Sequence, residues 1–179
     1  SAVARCLSAF ARHEHAAHAL GERAVRDDAD GDRSEAAIRT ALAASGNDLR
    51  FPRLLEDFGR ERRRARAVVD ALEMLAASEH DPVPSLKEAY EASLELEDPT
   101  LSERLLRRIV PSPGNDTTDS AWALATLAEA RFAASDAREA TDLWERAARV
   151  SDPDEERALL LRVADLSDRT LSDQERAVR

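Results

Sequence analysis

The residues best equipped for chemistry lie near the start of the chain. His13, Glu14, His15 and His18 form the run HEHAAH. On a helix, residues three or four apart share a face, so His18 neighbours both His15 and Glu14. Imidazole and carboxylate are zinc-binding groups. The run is not HExxH, however, because Ala17 stands where the second histidine belongs. Surface or partly packed histidines account for the same residues, so no metal site is expected. A second run, RERRRAR, carries Arg60, Arg62, Arg63, Arg64 and Arg66. Basic runs of this length can contact nucleic acid. Here Glu56, Asp57 and Glu61 lie within helical reach, and no aromatic side chains interleave for base stacking. An ion-paired, solvated helix face is the expected role, with an anionic protein partner as the other use. The chain has no phosphate-cradling glycine loop, no nucleophile elbow and no Cys/His metal spacing. Carboxylates are abundant, but no spacing singles out an acid/base pair. No catalytic residue, metal or cofactor is expected, and the chain reads as non-enzymatic.

Composition bounds the fold that carries these groups. Of 179 residues, 43% are hydrophobic but only 4% aromatic, and the apolar content is largely Ala and Leu, which favour helices. No alternating run of Val, Ile and Thr marks a strand, so an all-α fold is expected. The net charge of −10 gives no electrostatic drive toward nucleic acid or an anionic membrane. No apolar run approaches the ~20 residues of a membrane span, so membrane insertion is not expected. Lys87 is the only lysine, leaving Arg to make nearly all the cationic contacts. Cys6 is the only cysteine, which fits a reducing compartment, and a cytoplasmic location is expected. The chain begins with Ser and stops within a helical pattern, as expected of a fragment of a longer, bacterial-type protein.

Turn signals divide the chain into about nine helices. The first is expected over 2–26. Ser34 is a candidate cap for the second, which ends near Ser45-Gly46-Asn47. Pro52 fits the first turn of a third helix running to Ser78, with Gly59 a candidate kink. Ser85 and Glu88 form a capping box for the fourth, which Asp98-Pro99 ends. The fifth places Leu101, Leu105, Leu106, Ile109 and Val110 on one side. The segment PSPGNDTTD (111–119) is a loop dense in turn residues. A sixth helix is expected over 120–134, a seventh over 137–150, and an eighth opened by Asp152-Pro153 and Glu155. Ser172 and Glu175 cap a ninth. The short connections call for antiparallel neighbours.

Within this plan one unit stands out. Leu124-x2-Leu127-Ala128, with Phe132 following, leads into Ala140-x3-Trp144 and Pro153. Small Ala128 and Ala140 let the two helices approach closely, and Trp144 fills the gap toward the next hairpin. Leu160-x2-Val163-Ala164 opens a further copy. Upstream, Tyr90 precedes Pro99 as Trp144 precedes Pro153, and Leu75-Ala76-Ala77-Ser78-Glu79 parallels Phe132-Ala133-Ala134-Ser135-Asp136. The 121–153 unit resembles a tetratricopeptide repeat, whose pattern is W-x2-L-G-x2-Y, A-x3-F and P. It departs from that pattern at Arg131, where an aromatic is expected, and at Pro153, which comes one residue late. The resemblance implies helix hairpins stacked as an irregular α-solenoid within one domain (1–179). The best repeat is 121–153, 100–119 is an insertion and 154–179 is truncated.

The resemblance also implies a function. Stacked hairpins form a concave face lined by first helices, which receives a peptide or partner helix. In this register Trp122, Thr126 and Glu129 face the groove from one helix, and Arg162, Asp165 and Arg169 from another. Trp122 has a second reading, packed against the preceding helix, whereas Trp144 is expected in the core. The expected role is a non-catalytic scaffold with a protein or peptide partner. The alternative is a regulatory or sensor domain that controls an effector outside this chain. A truncated last helix leaves Leu159, Val163 and Leu166 partly uncovered, and self-association through that end is expected.

Overall fold

A computed structural model describes residues 31–45 and 48–168, and among them the fold is all-α: eight α-helices and no strand. The first and ninth expected helices lie outside the described residues. The chain divides between Asp98 and Pro99 into two compact units.

The first unit contains α1 (Asp32–Ser45), α2 (Arg50–Glu61), α3 (Ala65–Ala76) and α4 (Val83–Ser93), followed by a 3-10 turn at Leu94–Leu96. In α2 the residues Phe51, Leu54, Leu55 and Phe58 recur at helical spacing, and all are buried. With Ile38, Ala67 and Ala71 they supply most of a core between α1 and α3. The helix α3 packs against both α2 and α4, and is accordingly buried on two sides, through Val68, Ala71, Leu72 and Leu75 among others.

The single helix expected over 52–78 is therefore two helices. The break is not at Gly59 but at Arg62-Arg63-Arg64. Arg63 adopts a left-handed conformation (φ 53°). The Arg64 N–H donates to the Gly59 carbonyl at 2.8 Å and the Arg63 N–H to the Arg60 carbonyl at 3.4 Å. That pair of bonds is a Schellman closure, usually built on glycine. Gly59 instead permits close approach. A Cβ there would stand 2.7 Å from Val68 Cγ2 and 2.9 Å from the Val68 backbone nitrogen. Gly59→Ala is expected to destabilise the protein by about 1–3 kcal/mol through overpacking, although Ala is favoured over Gly within helices by about 1 kcal/mol. Urea unfolding measures the sign, and a stabilised variant would contradict the contact.

Two caps also differ from expectation. Ser34 is buried within α1, which already starts at Asp32. α4 starts at Val83 without a side-chain cap. Ser85 Oγ instead donates to Glu79 at 2.7 Å, and Glu88 is drawn away by Arg60. α4 ends at Ser93, and Pro99 opens the next helix rather than closing this one.

The second unit contains α5 (Pro99–Ile109), a 3-10 turn at Thr118–Ser120, α6 (Ala121–Ala133), α7 (Ala137–Ala148) and α8 (Pro153–Leu166). α6 packs against both α5 and α7, and α8 against α7. α5 buries Leu101, Leu105, Leu106 and Ile109. α6 and α7 are joined by Ala134-Ser135-Asp136. Ser135 is left-handed (φ 65°), with Asp136 N–H donating to the Arg131 carbonyl and Ser135 N–H to the Phe132 carbonyl, both at 2.9 Å. This is the closure seen at Arg63. The Ser78 turn shares the Ser78 N–H to Leu75 carbonyl bond (2.9 Å) with the Ser135 turn, whereas the left-handed closure recurs at Arg63. Asp152 caps α8 as expected, accepting from the Asp154 and Glu155 amides at 3.0 Å.

Arg146 holds the 111–119 loop in place. Its guanidinium donates to the Pro111 carbonyl at 2.7 Å and to both carboxylate oxygens of Asp116, at 2.6 and 3.1 Å. Leu159, Val163 and Leu166, expected to be partly uncovered, are buried. The large exposed apolar residues of α8 are Leu160 and Leu161.

Candidate functional site

α6 brings Trp122, Thr126 and Glu129 onto one face, since they are four and three residues apart. Trp122 and Thr126 are half-buried and Glu129 is exposed. The Thr126 hydroxyl donates to the Trp122 carbonyl at 2.7 Å, a local bond of the kind common for Ser and Thr within helices. Glu129 forms an ion pair with Arg162 of α8. Two residues named from the register as separate ligand contacts are therefore partners of each other. Asp165 is exposed three residues further along α8. Arg169 lies outside the described residues.

The Glu129–Arg162 pair borders an aromatic cluster. The Arg162 guanidinium carbon sits 5.8 Å from the centroid of the Trp144 ring, within cation–π range. Trp144 comes from α7 and is only 3% exposed. The Phe132 ring lies against it at 5.7 Å between centroids and 49° between planes, a tilted arrangement favourable for aromatic pairs. Phe132 is itself 48% exposed. Glu129 and Phe132 are three residues apart on α6. The resulting surface has an exposed aromatic ring backed by a buried indole, flanked by one cation and one anion. An exposed ion pair of this kind contributes at most about 1 kcal/mol, so a ligand charge can replace either partner at low cost. Phe132 was legible only as a residue near an aromatic repeat position. It stands one residue before the end of α6 at Ala133.

Other ion pairs of the second unit tie its helices to one another. Arg131 pairs with Glu103 of α5, with Asp136 and with Glu139 of α7, and Arg107 pairs with Glu103 and Glu139. The Arg131 hydrogen bond, and then the amide of Glu139, hold the Asp136 carboxyl below its ordinary range. A carboxyl with a lowered folded-state pKa adds stability above its unfolded pKa, about 3.9, and loses it as pH falls through the folded value. Asp136→Asn keeps the cap but removes the charge. Its penalty in urea melts is expected to be largest near pH ~7 and to shrink below pH ~4. A penalty independent of pH would show that the charge contributes nothing.

In the first unit the arginine run is largely paired. Arg60 bonds Glu56 and Glu88, Arg64 meets Asp32 and Glu35, and Arg66 meets Asp70. Hydrogen bonds from Arg60 to Glu56 and then Glu88 raise its already high pKa. A groove of about 1000 Å³ runs beside this turn, with Arg60, Arg63 and Arg64 facing Glu88, Glu91 and Glu95. Of the three expected helical partners, Glu56 supplies an observed pair. The histidine run 13–18 lies outside the described residues. Among the described residues no three His, Cys, Asp or Glu side chains converge as metal ligands, and no helix is long and apolar enough to cross a membrane. The chain matches no protein-family model, and a search of curated proteins finds no significant match.

Proposed function

We propose that this chain is a non-catalytic interaction scaffold of tetratricopeptide type, taking a peptide or partner helix on the surface formed by α6, α7 and α8. The observation that carries the reading is Phe132, 48% exposed and packed at a tilt against Trp144 beside the exchangeable Glu129–Arg162 pair. Phe and Arg are among the side chains enriched at protein interfaces relative to the rest of the surface. The hairpin α6–α7, with the shared Leu-x2-Leu-Ala and Ala-x3-Trp spacing, supports the repeat resemblance. The single cysteine supports a reducing, cytoplasmic setting.

A random peptide library selected against the chain tests this. Enriched peptides are expected to bind saturably, and Phe132→Glu is expected to weaken them at least tenfold, about 1.4 kcal/mol. Phe132 is half-exposed, so an unchanged far-UV spectrum and melt establish that the variant is folded. Peptides that bind Phe132→Glu as tightly as the parent chain would place the site elsewhere.

A further inference from the structure

The groove beside the Arg62–Arg64 turn, about 1000 Å³ in volume, has walls of opposite charge that the fold does not use up. Arg60, Arg63 and Arg64 line one wall. Glu88 and Glu91 of α4, and Glu95 of the 3-10 turn after it, line the other. Arg60 is engaged by Glu56 and Glu88, and Arg64 by Asp32 and Glu35. That leaves Arg63 facing Glu91 and Glu95. All three are exposed, and none makes an ion pair or a side-chain hydrogen bond among the described residues.

The charge balance decides the class of ligand. Three arginines and three glutamates cancel, so a polyanion such as nucleic acid meets no net attraction, and a fitting ligand carries both signs. Spacing decides how the signs are arranged. Glu91 and Glu95 are four residues apart, two steps in α4 and two in the 3-10 turn, or about 7 Å along the axis. In an extended chain, residues i and i+2 point the same way ~6.6 Å apart, and residue i+1 points the opposite way. The groove also has room for a main chain, because Gly59, Ala65 and Ala92 line it with little or no side chain. We infer that it takes an extended segment of a partner protein with the order basic-acidic-basic. Two arginine side chains of the segment meet Glu91 and Glu95, and the acidic side chain between them meets Arg63. Opposite charges set across an interface fix register and reject wrong partners. The site lies within the first unit and uses no residue of the α6–α8 surface, so it goes beyond the scaffold reading without resting on it.

The test is fluorescence anisotropy with a labelled, end-capped peptide Ala-Gly-Arg-Asp-Arg-Gly-Ala, titrated with the full chain at low salt. Saturable binding is expected, weakening as salt is added. Glu91→Gln combined with Glu95→Gln is expected to weaken it about tenfold, and Arg63→Gly about threefold, as two and one exposed pairs are lost. Both variants are expected to melt no lower than the parent chain, since the glutamates are exposed and glycine suits the left-handed backbone of residue 63 (φ 53°). The sign-reversed peptide Ala-Gly-Asp-Arg-Asp-Gly-Ala is expected not to bind. Absence of saturable binding, equal affinity for either variant, or equal binding of the sign-reversed peptide would overturn the inference. So would a concentration-dependent dimer, seen by sedimentation and lost in Arg63→Gly, because the occupant would then be a second copy. Phe132→Glu is expected to leave this binding unchanged, so failure here is read separately from failure of the Phe132 surface.

Discussion

Trp144→Ala is expected to destabilise the protein by about 3–5 kcal/mol, the usual cost of deleting a large buried aromatic. That is a large share of the ~5–15 kcal/mol that holds an ordinary domain folded. Trp144 is 3% exposed and touches three separate features of the second unit. It packs at a tilt against Phe132 of α6, lies under Arg162 of α8, and belongs to the buried stripe of α7. Deleting the indole leaves a cavity at the meeting point of three helices. Trp144→Phe is expected to cost far less. The Trp144 Nε1 is buried without a hydrogen-bond partner, so removing it relieves an unsatisfied donor and offsets part of the lost volume. Guanidinium melts of the two variants measure the difference. Equal, large losses would show that the indole N–H makes a bond essential to the fold.

Asp116→Ala is expected to cost about 2–4 kcal/mol, from the principle that removing one partner of a buried ion pair strands the other. Arg146 and Asp116 have side chains only 14% and 8% exposed. The range sits slightly below that for a fully buried pair because some solvent reaches the guanidinium. The second consequence is local. The 111–119 loop is tied to α7 through Arg146, and without Asp116 it is expected to be cut faster by protease under native conditions. Pairing Asp116→Ala with Arg146→Leu is expected to cost less than the sum of the single changes, because no unpaired charge remains. Strict additivity in denaturant melts, with unchanged proteolysis, would mean that the pair does not anchor the loop.

The contrast between these residues shows what a sequence makes visible. Trp144 was legible as core because Ala140-x3-Trp144 puts a small residue and an aromatic on one face of a helix, as in the repeat unit it resembles. So were Leu101, Leu105, Leu106 and Ile109. The break at Arg63 was hidden, because its left-handed conformation occurs at a residue type with no preference for it. The backbone closure that stabilises it is invisible in side-chain identity. The same closure at Ser135 is equally invisible, because serine has no marked preference for the left-handed region. Arg146 and Asp116 are 30 residues apart, and Glu129 and Arg162 are 33 apart. Each was visible as a charge, but pairing depends on how helices pack, which no local pattern encodes. The register places Glu129 and Arg162 on one groove as ligand contacts, whereas in the fold they are each other's partners. Phe132 was the reverse case: a residue with the composition of core that the end of α6 leaves half in solvent.

Trp144 also reports on the surface above it. The chain has two tryptophans, Trp122 and Trp144, so Trp122→Phe leaves Trp144 as the only one. A library-selected peptide is titrated into this variant while Trp144 emission is recorded. If the ligand sits on Phe132 and displaces one member of the Glu129–Arg162 pair, the emission shifts saturably with the midpoint of peptide anisotropy. Full peptide occupancy with no change in Trp144 emission would contradict a binding surface built on Phe132 and Trp144.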